Sequence, residues 1–340
     1  MTGRGGFYIG EGRVLVDTAP PRLPTEDEVQ VEVAFVGICG TDLHVVHGTM
    51  DHRVTFPQLL GHEMSGTITE VGAGVDDFEV GEKVVVRPLI SCNECPACLA
   101  GHRHICQRLV FLGIDAPGAL QTHWTVPAHI LHKVPAEVSL RTAALVEPLA
   151  VACHDVARAE LVPGETVVVF GAGPIGLLIS LLAQHRGARV LVTDVNAARL
   201  ELAQGLGLEA VPEGLAGAVE RLTGETGADV VFEVSGSAPA IADATGLLRT
   251  RGRLVVVGIH SEPHPVDLLR VFWRELHLLG ARVYEPQDFD EAIALTAEDV
   301  LPLDRLVTSV VPLDDLSEAF DQLQSGGGAV KVLVSLDSTR

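Results

Sequence analysis

Lysine and the aromatic residues are scarce in this chain. Of its 340 residues only 4% are aromatic, and 24 Lys or Arg stand against 45 Asp or Glu, which gives a formal net charge of −21. The lysines are Lys83, Lys133 and Lys331, far apart in the sequence. Nucleic-acid phosphates and anionic lipid surfaces are bound by clustered Lys and Arg. The sequence therefore predicts no nucleic-acid partner and no polybasic membrane patch.

Long hydrophobic runs are also missing. The longest apolar stretch, near Ile175 to Ala183, is shorter than the roughly 20 residues that a membrane-spanning helix needs. The first residues lack the apolar segment of a secretory signal. We therefore expect a cytoplasmic protein without a membrane partner. With 47% hydrophobic residues over 340 positions, the chain can bury the cores of two domains.

Six cysteines are present, and most of them lie in one short segment. The clustered ones are Cys92, Cys95, Cys98 and Cys106. Short gaps of this kind let four sulfurs converge on one metal, and a zinc ion with four protein ligands is structural. A disulfide-forming or reactive loop is the alternative, and zinc is favoured because of the spacing. His102 and His104 lie in the same loop, but four sulfurs already complete the shell.

A second group of metal-binding residue types lies further towards the N-terminus. The stretch Gly37-Ile38-Cys39-Gly40-Thr41-Asp42-Leu43-His44 is followed by Gly61-His62-Glu63. A catalytic zinc ion takes three protein ligands and keeps a fourth position open. A cysteine that ends an apolar strand is about as often a small buried residue, so this stretch alone leaves both interpretations open.

Glu147 is a carboxylate in strongly apolar surroundings. An unpaired charge there would be costly, so Glu147 needs a cation or a hydrogen-bond partner. Cys153 and His154 follow on the same Ala-rich helix, and we expect both to pack in or near the core rather than to bind metal.

Up to about residue 135 the chain consists mainly of short strand patterns separated by Gly and Pro. Glu28 to Phe35 and Met64 to Val71 are the clearest strands. This pattern predicts an all-β domain, a small barrel. Residues 37–44 directly follow a strand and are predicted to form its loop exit.

A dinucleotide-binding pattern begins at residue 165. A buried strand, Glu165 to Phe170, leads into Gly171-Ala172-Gly173-Pro174-Ile175-Gly176 and a helix. The next strand, Arg189 to Thr193, is followed directly by Asp194. In such a turn the three glycines permit a tight turn, close approach of the pyrophosphate and close helix packing. The helix N-terminus supplies N–H groups to the phosphates.

The cofactor is expected to be NAD rather than NADP. Asp194 would accept hydrogen bonds from the ribose hydroxyls and repel a 2′-phosphate. Arg199 favours NADP instead, because its side chain could bind such a phosphate. The carboxylate at the strand end is expected to decide the preference.

Strands and helices alternate through residue 258, which predicts a doubly wound parallel sheet and an α/β fold. Asn196 to Leu206 and Ser237 to Leu248 are the clearest helices. From about Arg282 the alternation relaxes, and the strand pattern Val330 to Val334 is expected to return to the β structure of the first domain.

Taken together, these motifs resemble those of the zinc-dependent medium-chain dehydrogenases. The resemblance covers nearly the whole chain and is greatest for the branch of sorbitol and other polyol, threonine and butanediol dehydrogenases. Glu147 stands where classical alcohol dehydrogenases have a third ligand cysteine. The resemblance implies a GroES-like β-barrel catalytic domain (1–148 and 282–340) and a Rossmann dinucleotide-binding domain (149–281). It also implies a homodimer or homotetramer built through the Rossmann domain.

Several roles follow from the resemblance residue by residue. Cys39 and His62 are implied as ligands of the catalytic zinc, with Glu63 and Glu147 sharing the remaining contact. Thr41 and His44 match the proton-relay positions. Asp42 is implied to orient a ligand, and Arg282 to lie near the substrate.

The predicted function is hydride transfer from a secondary alcohol to NAD. The alcohol is a polyol, cyclitol, sugar acid or vicinal diol. An alternative is an L-threonine 3-dehydrogenase-type enzyme, for which Arg53 or Arg282 would bind the substrate carboxylate. A non-catalytic NAD-binding protein is a remote alternative, because binding alone requires no open metal site.

Overall fold

A computed structural model describes residues 3–336 of the chain. The chain divides into two compact units. Unit 1 contains the residues up to Glu147, the segment Phe289–Asp299 and the residues from Leu303 onward, and unit 2 contains Pro148–Asp288 and Val300–Pro302. The sequence-based boundaries lie at 148/149 and 281/282, and the assignment of roles to those segments stays a prediction.

The elements up to α3 belong to unit 1. They are β1 (Arg4–Tyr8), β2 (Val14–Thr18), β3 (Glu28–Gly37), α1 (Gly40–Val46), β4 (Gln58–Leu59), β5 (Glu63–Val71), β6 (Lys83–Val86), β7 (Leu89–Ile90), α2 (Pro96–Leu99), β8 (Val110–Phe111), β9 (His123–Pro127), β10 (Leu131–Lys133) and α3 (Leu140–Ala143).

The central part of the chain forms unit 2. Helix α4 (Val146–Arg158) begins in unit 1 and continues into unit 2. It is followed by β11 (Thr166–Phe170), α5 (Pro174–His185), β12 (Arg189–Thr193), α6 (Ala197–Gly205), β13 (Glu209–Ala210), α7 (Leu215–Thr223), β14 (Ala228–Glu233), α8 (Ala238–Leu247), β15 (Leu248–Val256), α9 (Leu268–Arg274) and β16 (His277–Gly280).

The last elements lead back into unit 1. They are α10 (Pro286–Ala297), β17 (Val307–Pro312), α11 (Leu316–Gln324) and β18 (Lys331–Ser335). Short 3₁₀ helices lie at Arg103–Ile105, Ala128–Ile130, Leu303–Leu306 and Leu313–Asp315.

The largest sheet of unit 1 has the strand order β10-β6-β5-β3-β18-β17, and β9 also pairs with β3. Only β17 and β18 are parallel to each other, and the other pairs are antiparallel. Strand β3 alternates polar and apolar residues near its start, and Val29, Val31 and Val36 are fully buried. The strand at the C-terminal end of the chain therefore lies directly beside the strand that precedes Cys39.

Unit 2 is a doubly wound parallel sheet. Its strands follow the order β13-β12-β11-β14-β15-β16, and all of its pairs are parallel. The Val-rich β11 is buried because helices cover both faces of such a sheet. The chain reverses direction across the sheet between β11 and β14, which is where ligands bind in open α/β sheets. The predicted α/β class with a doubly wound sheet is confirmed.

Residues 40–46 form a helix, whereas the sequence prediction was a loop exit. The Asp42 carboxylate accepts a hydrogen bond from the backbone N–H of Cys39 at 2.9 Å, which satisfies a donor at the start of α1. The strand β1 and the elements α7, α9, β16 and β17 were not predicted. No helix among residues 3–336 has the length and apolar character needed to span a bilayer.

Candidate metal and dinucleotide sites

Cys39, His62 and Glu63 come together at one end of the large sheet of unit 1. Cys39 follows β3, and Glu63 begins β5, where it lies opposite Gly37 in the antiparallel register. One ligand atom from each of the three residues lies within 4.8 Å of the others. A sulfur, a ring nitrogen and a carboxylate oxygen in this arrangement fit a zinc site that keeps one position open.

The Glu63 carboxylate leaves no room for a side chain at Gly37. A Cβ atom at Gly37 would lie 2.1 Å from Glu63 Oε2. Any other residue would push the carboxylate away from Cys39 and His62. A glycine at position 37 is therefore needed for the Glu63 carboxylate to keep its place.

Asp42 faces the ring of His62 from α1. Its Oδ1 lies 3.5 Å from His62 Nδ1, and the two side chains are 1% and 2% exposed. Burial lowers the pKa of His62, but Asp42 and the Cys39 sulfur raise it well above its ordinary value. With Nδ1 turned to Asp42, Nε2 is left for a metal, which supports the predicted orienting role of Asp42.

Lys331 was not predicted from the sequence, although it touches the ligand set. Its Nζ donates to Glu63 Oε1 and Oε2 at 2.8 and 2.6 Å and to the carbonyl oxygen of Ile38 at 3.3 Å. Both partners are 1% exposed. Burial lowers the pKa of Lys331, but the charge of Glu63 and then of Cys39 raise it above its ordinary value. A lone lysine within the apolar run 330–334 was the only signal in the sequence.

Glu147 lies outside the set of three ligand atoms that meet within 4.8 Å. It is 5% exposed, in the first turn of α4, and its charge contributes to the raised pKa of Lys331. The sequence left open whether Glu63 or Glu147 contacts the metal. The geometry favours Glu63 as the direct ligand and puts Glu147 near the same ammonium group.

The two predicted relay residues lie on α1. The Cys39 sulfur is 3.7 Å from the Thr41 hydroxyl oxygen, so Thr41 lies next to the ligand set. His44 is half-buried one turn further along. Burial, and then the neighbouring His47, lower the pKa of His44 below its ordinary value. The lowered pKa favours the neutral form of His44.

The four clustered cysteines form a second, closed ligand set. The Cys95–Cys98 and Cys92–Cys106 sulfur pairs are 3.5 and 3.4 Å apart, and two further pairs are 3.9 Å apart. A zinc tetrahedron with Zn–S bonds of about 2.3 Å has edges of about 3.8 Å. Backbone N–H groups also point at these sulfurs, as from Cys95 to Cys92 at 3.3 Å, which stabilises thiolates. His102 is exposed and His104 is buried in the same lobe.

In unit 2 the turn between β11 and α5 brings together the residues predicted to bind the cofactor. Gly173 precedes the first helical residue Pro174 and carries no capping side chain, so the helix N-terminus remains free for an anion. A Cβ at Gly176 would lie 1.8 Å from the carbonyl oxygen of Gly171, so no larger residue fits there. Ile175 lies in the same first turn. This geometry fits a dinucleotide pyrophosphate.

Asp194 follows β12, and its side chain is 7% exposed. It accepts hydrogen bonds from the backbone N–H groups of Ala172 at 2.7 Å and Asn196 at 2.8 Å. The Arg199 Nη1 atom is 3.8 Å from Asp194 Oδ2, and it is the nearest atom to a Cβ built on Gly173. Asp194 is thus held beside the phosphate-binding turn, with Arg199 next to both.

Comparison with known proteins identifies the family. The model described as alcohol dehydrogenase GroES-like domain matches residues 25–136, and that described as zinc-binding dehydrogenase matches residues 174–298. A 2-dehydro-3-deoxy-L-galactonate 5-dehydrogenase from Pseudoalteromonas atlantica is 51% identical, covering 97% of this chain and 98% of that protein. The chain belongs to the zinc-binding dehydrogenase family.

Two solved structures share the fold. The 2R,3R-butanediol dehydrogenase of Bacillus subtilis has a TM-score of 0.91 at 29% identity, covering 99% of this chain and 100% of that chain. A protein from Sinorhizobium meliloti described as a zinc-binding dehydrogenase, with bound NADP, has a TM-score of 0.91 at 31% identity, covering 98% of this chain and 99% of that chain. The predicted family and its combination of GroES-like and Rossmann folds are confirmed.

As a zinc-binding dehydrogenase, the protein is an oxidoreductase that uses a nicotinamide dinucleotide. Cys153 and Arg282 were also singled out in the sequence. Cys153 is fully buried in α4, and Arg282 is exposed in unit 2. The role of Arg282 near the substrate stays a prediction.

Proposed function

We propose that this dehydrogenase oxidises a secondary hydroxyl of a sugar acid with NAD, and that a 2-dehydro-3-deoxy-aldonate is its substrate. The observation that carries the chemistry is the convergence of Cys39, His62 and Glu63 within 4.8 Å in a chain that also holds a dinucleotide turn. The substrate class rests on the relative that is 51% identical and is named for a 2-dehydro-3-deoxy-L-galactonate.

The residues of unit 1 prepare the reaction by position and charge. Cys39, His62 and Glu63 would hold the zinc ion, while Lys331 fixes the Glu63 carboxylate. When bound, zinc lowers the pKa of a substrate hydroxyl and NAD accepts a hydride. The Thr41 hydroxyl beside Cys39 would accept the released proton while donating its own towards His44, whose lowered pKa favours the neutral form that can accept a proton.

The residues of unit 2 would bind the cofactor. Gly173 and the free N-terminus of α5 would receive the pyrophosphate, and Gly176 permits the close helix packing. The Asp194 carboxylate would accept hydrogen bonds from the ribose hydroxyls and repel a 2′-phosphate, so NAD is preferred over NADP. The NADP bound to the Sinorhizobium meliloti protein makes this preference a point to measure.

A spectrophotometric assay of NADH formation tests the function. Sugar acids, neutral polyols, 2,3-butanediol and L-threonine are compared, each with NAD and with NADP. We expect the highest kcat/KM for a 2-dehydro-3-deoxy-aldonate with NAD. Turnover of L-threonine alone would support the alternative amino-alcohol dehydrogenase, and absence of any turnover would contradict the proposal.

A neutral diol or polyol is the second candidate substrate. The Bacillus subtilis structure, which covers 99% of this chain, is named for 2R,3R-butanediol. In the same assay, a kcat/KM for the diol above that for every sugar acid would favour this candidate.

We also propose that the enzyme is a homodimer joined through unit 2. Strand β16 lies at the edge of the parallel sheet and has unpaired backbone groups on its outer side. The nearby helix α9 exposes Leu268, Leu269, Phe272 and Trp273, each at 68–73%. Two copies of β16 related by a two-fold axis would pair antiparallel, extend the sheet and cover this apolar surface.

Sedimentation velocity measures this assembly. The wild type should sediment as a dimer or as a tetramer made of two dimers, and the double variant Phe272→Asp/Trp273→Asp should give the mass of one chain. A monomeric wild type would reject the interface.

The protein is also proposed to act in the cytoplasm, because its six cysteines are free thiols, as is usual in a reducing compartment.

A further inference from the structure

Arg53 and Asp115 form a partly buried ion pair in unit 1. Arg53 donates from Nε to Asp115 Oδ1 at 2.9 Å and from Nη2 to Oδ2 at 2.7 Å. The two side chains are 27% and 21% exposed. A bidentate pair of this kind fixes the plane of the guanidinium group.

The loop that carries Asp115 is fastened to the backbone beside the metal ligands. The N–H of Ala119 donates to the carbonyl oxygen of Gly61 at 2.8 Å, and that of Gly118 to Leu59 at 2.8 Å. At the start of the loop, Phe111 donates its N–H to Asp115 Oδ2 at 2.8 Å.

The same Phe111 touches a metal ligand directly. Its ring packs edge-on against His62 with 4.9 Å between the ring centres. Contacts through Asp115 and Phe111 therefore connect the guanidinium group of Arg53 to His62.

Only one side of the Arg53 fork is used. A guanidinium group has five N–H donors, and Asp115 takes one from Nε and one from Nη2. The Nη1 atom makes no hydrogen bond within residues 3–336, and the Arg53 side chain as a whole is 27% exposed. The edge formed by Nη1 and Nη2 matches a second carboxylate, and Arg favours such planar, bidentate recognition.

We propose that Arg53 is the specificity-determining residue that binds the carboxylate of the substrate, with Asp115 holding its guanidinium group in position. The inference rests on the proposed function and names the group that distinguishes a sugar acid from a neutral polyol. In a chain with a net charge of −21, an acidic substrate needs a local cation near the reacting carbon. Lys331 is already paired with Glu63, whereas Nη1 of Arg53 has no hydrogen-bond partner among the described residues 3–336.

A binding measurement tests this inference independently of turnover. The affinity of the enzyme–NADH complex for 2-dehydro-3-deoxy-galactonate is measured by calorimetry and compared with that for the matching carboxamide, which has the same shape without the charge. We expect Arg53→Gln to weaken binding of the acid by about 10- to 100-fold, since a charge-assisted hydrogen bond is lost. Binding of the carboxamide should change less than about threefold.

Two further variants separate recognition from a structural role. Arg53→Lys keeps the charge but loses the fork, and should recover part of the affinity for the acid; it also serves if Arg53→Gln does not fold. Lys133→Gln removes an ion pair of the same unit, with Glu82 at 2.6 Å, and should leave both affinities unchanged.

Equal weakening for acid and carboxamide in Arg53→Gln would show that the pair only joins two loops, and would overturn the inference. Equal affinity of the wild type for the acid and the carboxamide would overturn it too. The turnover assay tests the proposed function separately. If the enzyme oxidises only neutral compounds, it is still a dehydrogenase, but Arg53 does not bind a substrate carboxylate.

Discussion

Lys331 and Glu63 show what single residues contribute beyond the recognisable motifs. Cys39, His62 and Glu63 stand out in the sequence because their residue types and glycine neighbours are typical of metal sites. Lys331 does not, since its partner is 268 positions away and the two meet only through the pairing of β18 with β3. A buried ammonium group is stable only beside a compensating charge, and this pair also fixes the orientation of a predicted metal ligand.

Lys331→Met should destabilise the protein strongly. The substitution leaves the Glu63 carboxylate buried without its cation, and removing one partner of a buried pair costs about 3–5 kcal/mol of unfolding free energy. Urea unfolding of the metal-free protein measures the difference. Adding Glu63→Gln to Lys331→Met should restore part of the loss.

Lys133→Met is the matched control, because Lys133 also lies 2.6 Å from its partner Glu82 but is 50% exposed. Its unfolding free energy should change by less than about 1 kcal/mol. Similar losses in the two single variants would contradict the importance given to burial.

Cys39→Ser should remove the catalytic zinc and spare cofactor binding. The hydroxyl is a much poorer zinc ligand than a thiolate, while the dinucleotide turn lies in unit 2. We expect metal analysis to give one zinc ion per chain fewer than in the wild type, at least about 100-fold lower kcat, and NADH affinity within about threefold by fluorescence. Retained zinc and activity would show that Cys39 is a buried structural residue.

At the level of elements, the sequence was informative where a pattern repeats and poor where an element is short or packed by distant partners. Strand β12 was predicted to the residue, and the Asn196 cap of α6 follows from its side chain accepting from Ala198 and Arg199. Helix α1 was missed because its start depends on Asp42 reaching back to Cys39, and β17 because it exists through its pairing with β18. The motif residues of the sites were predicted, whereas Lys331 and the Arg53–Asp115 pair required the tertiary structure.

Helix α4 contains a buried carboxyl group, Asp155, that makes the stability of the protein depend on pH. Asp155 is fully buried, neither carboxylate oxygen has a hydrogen-bond partner within residues 3–336, and burial and then Asp288 raise its pKa well above the ordinary value. Asp288 itself accepts from His154 Nδ1 at 2.8 Å and from the backbone N–H of Glu285. Because the folded pKa exceeds the unfolded one, the stability contribution is complete below the unfolded pKa and is lost as the pH rises through the folded pKa.

Asp155→Asn should remove this pH dependence. Relative to the variant, the wild type should lose unfolding free energy from about pH 4 upward, by at most about 1.4 kcal/mol per pH unit. Urea titrations of both proteins between pH 5 and 8 measure the difference in slope. Parallel pH profiles would mean that Asp155 is ionised in the folded protein.

Gly176→Ala should weaken NADH binding and leave the zinc sites of unit 1 unchanged. The added methyl group would lie 1.8 Å from the carbonyl oxygen of Gly171, so the turn before α5 must open. We expect at least about 10-fold weaker NADH binding by fluorescence titration, with zinc content unchanged. Gly217→Ala is the control, because Gly217 lies in helix α7 and a Cβ there would meet only the flexible end of Arg221, at 3.4 Å. Unchanged NADH affinity in Gly176→Ala would contradict the close packing.

For the whole molecule, the two metal-ligand sets differ in how they are closed. The four sulfurs would fill all four positions around a zinc ion, whereas Cys39, His62 and Glu63 would leave one position open. The dehydrogenase should therefore contain two zinc ions per chain that leave at different rates.

Chelation tests this difference. Dipicolinate should remove one zinc ion first, together with all activity, and added zinc should restore the activity. Release of the second ion should coincide with loss of folded structure followed by circular dichroism, because structural zinc stabilises its lobe. Full activity after loss of the first ion would contradict the assignment of the sites.

The separation of Glu63 and Lys331 also sets an order of events during synthesis. At about 5–20 residues per second, a ribosome needs roughly 13–54 s to add the 268 residues between them. During that interval the carboxylate has no ammonium partner, and β3 has no β18 beside it. We therefore expect the Glu63 carboxylate to take its final orientation only after β18 has been synthesised and has paired with β3.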